Sequence, residues 1–198
     1  MIDDLLAGIS ENPWSLVAMA ALVLGDAFLV VIPGEVAVTA LGALAVVHGD
    51  PPLLAVIAVA AVAALAGDAL CYLLGRTIGL ERWRWMRSRR VRGALHAVGE
   101  RLRRRTAVVL FTARFVPFAR LAVNLTAGAS RVPAPRYLVV AGLAALGWAV
   151  YQSLVGAIVA AVVPGGPVVA VVVSVVVALL LGLAIDRLFA RRTLPTDR

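Results

Sequence analysis

"RFVPFAR", Arg114 to Arg120, stands between "TAVVLFTA" and "LAVNLTAGAS". Two arginines flank a proline inside a segment that is otherwise apolar from Thr106 to Ser130. The reading of this segment decides the fold. Thr106 to Ala113, as helix, reaches about 12 Å into a hydrocarbon core of roughly 30 Å. That piece does not span the core, yet it is too apolar for water. A short helix in, a break at Pro117 and a return satisfies both constraints. Broken backbone at membrane depth is tolerated only where protein or a wet cavity covers it. The alternatives are one full-length helix kinked at Pro117, or a buried connector.

A second segment of the same kind lies in the other half of the chain. Ile32 to His48 contains "IPGE" and then "VAVTALGALAVV". Val36 to Val47 reaches about 18 Å as helix, again short of a full crossing. One interrupted apolar segment in each half points to a transporter-type inverted repeat, with its site at the breaks. Around them lie four longer apolar runs at 14–31, 53–75, 137–163 and 168–189. Each has the length of a membrane helix. Asp26 interrupts the first run and Asp68 the second, while "PGGP" (Pro164 to Pro167) joins the last two as a tight turn.

The composition agrees with a bilayer. The 198 residues are 62% hydrophobic with a mean hydropathy of +0.97, which excludes an ordinary soluble domain. All nineteen basic residues are arginine. Absence of lysine at every position reads as a compositional bias, so choice of arginine at any one site says little. Cys71, the single cysteine, sits in an apolar run, so there is no disulfide framework. No basic leader and small-residue cleavage site open the chain, so no removable signal peptide is expected.

Residues 76–105 carry eleven arginines against Glu81 and Glu100, a net of +9 in a chain of net +8. Val91, Leu95, Val98 and Leu102 recur there at helical spacing between arginines, the pattern of an amphipathic helix on a membrane surface. Trp83 and Trp85 suit the interface. A nucleic-acid partner is the weaker reading of this run and is not expected. By the positive-inside rule the segment is cytoplasmic. Helix 53–75 then runs inward, the first hairpin enters from outside and the second from the cytoplasm. The C-terminal Arg187, Arg191 and Arg192 fall inside.

Charges inside apolar spans are costly and mark function. The candidates are Asp26, Glu35, Asp68, Arg114 and Arg120. Six positions apart on an unbroken helix is about 240° of rotation, but a bend at Pro117 brings both guanidiniums to one point. Arginine stays charged and grips phosphate oxygens in a bidentate fork. Two arginines balance a phosphomonoester of about −1.5 to −2. The competing reading is that each arginine pairs with an intramembrane carboxylate and holds the hairpins together. Asp26 and Glu35 bracket the entry to the first hairpin and can change charge, so they are candidate proton carriers. Asp68, two turns from Arg76, reads as structural, and Arg76, Pro117 and Asn124 as supporting. Tyr151 and Gln152 either line a cavity or bond to a neighbouring helix. His48 and His96 have no metal-ligand spacing, and neither P-loop nor hydrolase nor metalloprotease motifs occur, so no metal or cofactor is expected.

"VIPGEVAVTALGAL", "GDALCYLLGRTIG", "ARFVPFARLAVNLTAGAS" and "GLAALGWAVYQSLVG", in this order, resemble the DedA family of bacterial inner-membrane proteins, related in fold to eukaryotic VTT-domain lipid scramblases. The resemblance runs from Asp26 to about Ala160. It implies an all-α integral membrane protein in one domain: about four transmembrane helices, two opposed re-entrant hairpins (32–48 and 106–130) and an Arg-rich amphipathic surface helix. It also implies proton-linked movement of lipids, notably undecaprenyl phosphate and in some members phospholipids. Arg114 and Arg120 match the family's arginine pair, Glu35 its acidic turn residue, Asp26 the acidic residue before that turn, and Asp68 and Arg76 its G-D…G-R element. Asn124 stands where many members have proline, and Gly34 replaces a common serine.

The function expected is a proton-linked flippase of a lipid phosphate headgroup in the inner membrane, with Arg114 and Arg120 on the phosphate and Asp26 and Glu35 carrying protons. A phospholipid flippase or passive scramblase is the alternative. A membrane phosphatase would want a histidine near the arginines, and "RFVPFAR" holds none. An assembly subunit would act through the basic surface. The chain is expected not to be an enzyme, and self-association as a homo-oligomer is left open.

Overall fold

The computed structural model describes residues 14–29, 34–78 and 119–163, with a few isolated positions elsewhere. Arg114, Pro117, most of the basic segment and the helix expected over 168–189 lie outside the described residues. Within them every regular element is a helix, with no strand. Five helices follow in order: α1 (Trp14–Asp26), α2 (Gly34–Val47), α3 (Leu53–Ile78), α4 (Ala119–Ala129) and α5 (Ala134–Val162).

Two of these are long and apolar enough to cross a bilayer: α3, with 26 residues, and α5, with 29. At 1.5 Å per residue they reach about 39 and 43 Å. Their outward faces are apolar as well. Leu54 and Val62 on α3 and Val139, Leu143, Ile158 and Val162 on α5 are exposed. A core helix of a soluble protein turns a polar face outward, so these faces fit lipid. The other three helices are short. α1 has 13 residues, α2 has 14 and α4 has 11, about 16 to 21 Å each. α1 ends at Asp26, where a turn over Ala27 and Phe28 follows, so the helix is shorter than the apolar run 14–31 in which it lies.

Local sequence explains the boundaries. Asn12 caps α1, its side-chain oxygen accepting from the Trp14 N–H at 3.0 Å. α2 stops before Gly49, whose φ of +77° suits glycine, and Pro51 and Pro52 lead into α3. α4 closes with Arg131 in the left-handed region at φ +53°. Its N–H reaches the Gly128 carbonyl at 3.0 Å, and the Val132 N–H reaches the Ala127 carbonyl at 3.1 Å, a complete Schellman ending. Pro133 and Pro135 then start α5.

A short helix joined by a turn to a long one thus occurs twice, as α2–α3 and as α4–α5. Each short helix packs on the long helix of the other unit: α2 on α5, and α4 on α3. Glycines permit both approaches. A Cβ at Gly75 would strike the Leu125 carbonyl, and one at Gly128 the Tyr72 carbonyl. A Cβ at Gly42 would lie 2.5 Å from the Ser153 carbonyl oxygen, and one at Gly156 would strike the Thr39 carbonyl. Where lipid outside is as apolar as the side chains inside, small residues that bring backbones together hold helices to each other. The main core joins Met19 and Val23 of α1, Val38 and Leu44 of α2, Val56 and Ala60 of α3, and Ala145 and Trp148 of α5. A second cluster joins Tyr72, Val123, Ala127 and Tyr137.

Candidate functional site

Arg120 occupies the first turn of α4, and its guanidinium crosses to two other helices. Nε donates to Asp68 Oδ1 at 2.8 Å, Nη1 to Asp26 Oδ2 at 3.1 Å and Nη2 to the Ala64 carbonyl at 3.2 Å. Ala64 and Asp68 are one turn apart on α3, so that helix holds the guanidinium at two points and α1 holds it at one. The two carboxylates differ in surroundings. The Asp68 side chain is 3% exposed and that of Asp26 19%, with Arg120 at 14%. The deeper carboxylate therefore makes the shorter contact, and the more accessible one the longer.

Asp68 is held further by its own neighbours. The Asn124 amide, one turn after Arg120 on α4, donates to Asp68 Oδ1 at 2.8 Å. The Tyr137 hydroxyl of α5 donates to the Asp68 backbone carbonyl at 3.0 Å. Tyr137 stacks on Tyr72, with ring centroids 4.3 Å apart. The Tyr72 hydroxyl donates to the Val132 carbonyl at 2.6 Å and accepts from Arg76 Nη1 at 2.7 Å. Arg76 is thus bound to the aromatic pair, while Arg120, Asn124 and Tyr137 all bond to Asp68.

Glu35 opens α2. Gly34 lets that helix begin against the end of α1, since a Cβ there would lie 3.1 Å from Asp26 Cβ. Glu35 therefore sits close enough to Asp26 and Arg120 to feel both charges, and the Trp148 indole of α5 lies beside its carboxyl. One turn further, Thr39 Oγ1 faces Gln152 Oε1 at 3.5 Å, a long contact by which Gln152 reaches a neighbouring helix. The hydroxyl oxygen of Tyr151 is buried with no hydrogen-bond partner and lies in the field of Glu35.

Of the residues singled out in the sequence, Asp26, Glu35, Asp68, Arg120 and Asn124 come together where α1 to α4 meet. Arg76 stands two turns from Asp68, on Tyr72. Arg114 and Pro117 lie outside the described residues. The sequence reading missed Trp148, Tyr72, Tyr137 and the Ala64 carbonyl. The placement of Tyr72 and Trp148, four residues before Arg76 and Gln152, was the available signal, because both are large polar-tipped residues in otherwise apolar helices. Among the described residues the cluster is a fixed cation between carboxylates of unequal access, in a helical assembly with apolar outer faces. Such a group can exchange one anionic partner for another without leaving its anchor.

The VTT domain family matches residues 32–158, which contain α2 to α4 and most of α5. Two relatives are both named alkaline phosphatase-like protein, from Lactococcus lactis subsp. lactis (strain IL1403) and subsp. cremoris (strain MG1363). Each is 24% identical over 153 residues, covering 74% of this chain and 71% of its own length. No solved structure matches the chain. A family match over more than half the chain, with two membrane-length helices and a charged cluster between them, identifies this protein as a member of the VTT-domain (DedA) family, a membrane transporter-type family.

Proposed function

We propose that the protein is a proton-linked flippase of a lipid phosphate headgroup, and that undecaprenyl phosphate in the bacterial inner membrane is its substrate. One observation carries this reading: Arg120 is tied to a nearly buried carboxylate and, through a longer contact, to a more accessible one. Protonation of Asp26 removes the charge that holds Nη1. A phosphate oxygen then takes that donor while Asp68 and the Ala64 carbonyl keep the guanidinium in place. Loss of the proton on the other side of the membrane restores the carboxylate, which displaces the phosphate. Glu35, within the field of both Asp26 and Arg120, serves as the second proton carrier. Arg114 supplies the second cation that a phosphomonoester of about −1.5 to −2 calls for.

The short helices α2 and α4 support two re-entrant hairpins in this scheme, entering from opposite sides as the arginine-rich cytoplasmic segment dictates. Neither is long enough to cross a core of roughly 30 Å alone.

The test is translocation by purified protein in liposomes, comparing undecaprenyl phosphate with phosphatidylethanolamine, with and without an imposed pH gradient. The reading expects undecaprenyl phosphate to move faster and the rate to follow the gradient. Preference for phosphatidylethanolamine, or indifference to the gradient, replaces it with a phospholipid flippase or a passive scramblase. Inorganic phosphate is measured in the same vesicles, because the Lactococcus relatives bear a phosphatase-like name. Its release would make the protein an enzyme.

A further inference from the structure

Asp68 Oδ1 is the acceptor of two bonds from α4: Nε of Arg120 and the amide of Asn124, each at 2.8 Å. Arg120 and Asn124 are one turn apart, so they lie on one face of α4 and grip a single oxygen. Asn124 is 3% exposed. It adds a donor without adding charge, so it shares the carboxylate with Arg120 and does not replace the countercharge. A carboxyl group turns easily about its last torsion, which has broad, two-fold preferences. Two donors on one oxygen remove that freedom. With the Asp68 plane set, α3 takes Nε through Asp68 and Nη2 through the Ala64 carbonyl, and Nη1 is left toward Asp26.

The geometry points to Asn124 as a positioning residue for phosphate capture: through Asp68 it orients the Arg120 guanidinium so that the Nη1 edge faces the exchangeable anion. This inference rests on the lipid-phosphate reading and names a further residue for it. Asn124 does not touch the phosphate. It keeps Asp68 fixed while Arg120 changes its other partner, so the guanidinium is not drawn wholly onto the buried carboxylate.

The test uses Asn124→Asp and Asn124→Leu in the full chain, with transport measured across pH in liposomes and expressed relative to the parent. Among the described residues, the charged and titratable groups around the position are Asp68 and Cys71 on α3, Arg120 on α4, Asp26 on α1 and Glu35 on α2, with the Tyr137 hydroxyl of α5 on the Asp68 backbone. All are present in parent and variant alike, so the ratio isolates the new group. Two carboxyls this close share one proton, since both cannot ionise together. The protonated acid matches the asparagine in shape and donates the same bond to Asp68 Oδ1. Asn124→Asp is therefore expected to approach parental transport at low pH and to lose it as pH rises, by roughly tenfold or more, the scale of a hydrogen bond to a charged group. Asn124→Leu, which can donate at no pH, is expected to hold a constant ratio, with the apparent KM for undecaprenyl phosphate raised about tenfold and kcat changed less.

A flat pH ratio for Asn124→Asp in a protein whose parent transports overturns the inference and leaves the functional reading standing. A parent that moves no undecaprenyl phosphate overturns both. Where Asn124→Asp does not accumulate in the membrane, Asn124→Leu decides by its KM: parental KM with lowered kcat overturns the positioning role.

Discussion

The two helix crossings, α4 on α3 and α2 on α5, are alike in backbone and unlike in chemistry. Each places polar residues one turn apart on the short helix. Arg120 and Asn124 occupy α4, and Glu35 and Thr39 occupy α2. Each long helix answers with residues one turn apart, Ala64 and Asp68 on α3 and Trp148 and Gln152 on α5. In both, glycines on the two helices let the backbones touch beyond the polar rung. The first crossing is locked by 2.8 Å contacts to a buried carboxylate. The second has the Trp148 indole on Glu35 and a 3.5 Å contact between neutral groups, with the Tyr151 and Ser153 hydroxyls buried and unmatched beside it. A shared packing scheme therefore does not require shared chemistry. Glycine sets how close the helices come, and the residues a few turns away set what that closeness is used for.

Removing the charge from the first crossing is expected to give the largest effect. Arg120→Ala takes from Asp68, at 3% exposure, the guanidinium bonded to its Oδ1 at 2.8 Å. Breaking a buried ion pair costs roughly 3–5 kcal/mol, and transport is expected to fall to background. Adding Asp68→Ala to the same chain is expected to recover part of the stability and none of the transport. Thermal unfolding in detergent, arranged as a double-mutant cycle, measures the coupling. The equivalent change in the second crossing, Trp148→Phe, is expected to cost less, about 1–3 kcal/mol for a lost donor beside a charged group. Equal costs at the two crossings would remove the asymmetry between them.

The glycines test the half of the comparison in which the crossings agree. Gly128→Ala and Gly156→Ala each drive a methyl group into a backbone carbonyl, of Tyr72 and of Thr39 respectively. Backbone cannot turn aside as a side chain can, so the helices must part, at about 1–3 kcal/mol. Gly142→Ala is the control, because the nearest atom to its Cβ is Leu65 Cδ2 at 3.7 Å, an ordinary contact. Similar losses at Gly128 and Gly156, and none at Gly142, would sharpen the view that one packing device serves both crossings. A loss at only one would mean that the likeness is confined to the sequence of elements.

How much of this was legible in the sequence depends on the kind of residue. Asp26, Glu35, Asp68 and Arg120 stand out because a charge in an apolar run is costly and needs a reason. Their pairing does not. Arg120 meets Asp68 across 52 positions and Asp26 across 94, and nothing in one sequence reports such contacts. Two helical turns separate Asp68 from Arg76, which suggests a pair, but Arg76 turns to the nearer Tyr72 hydroxyl. Neutral partners are the least visible. Asn124, Gln152, Trp148 and Tyr137 each have several ordinary uses in a membrane helix, and only a neighbouring helix selects among them. The long helices α3 and α5 were legible within about three residues at their ends, because an apolar stretch of that length is stable in few settings besides a bilayer. The short α1 was not, because its apolar run continues past the turn that ends it.

The smallest effect is expected at the weakest rung. Thr39 Oγ1 and Gln152 Oε1 are 3.5 Å apart, beyond the usual range of an O–H···O hydrogen bond, although both side chains are buried. Interhelical hydrogen bonds within membranes average about 0.6 kcal/mol even when well formed, because the separated helices find other partners. Thr39→Val keeps the branched shape and leaves the Thr39 carbonyl against Gly156 where it is. It is therefore expected to lower stability by about 0.6 kcal/mol or less and to leave transport within twofold of the parent. Adding Gln152→Leu removes the partner too, and replacing both polar groups with apolar ones is expected to restore or exceed the parent's stability. Unfolding and transport measured on the single and double variants decide the matter. If Thr39→Val instead abolishes transport while the protein stays folded, the second crossing carries chemistry of its own, and the contrast between an active crossing and a packing one is wrong.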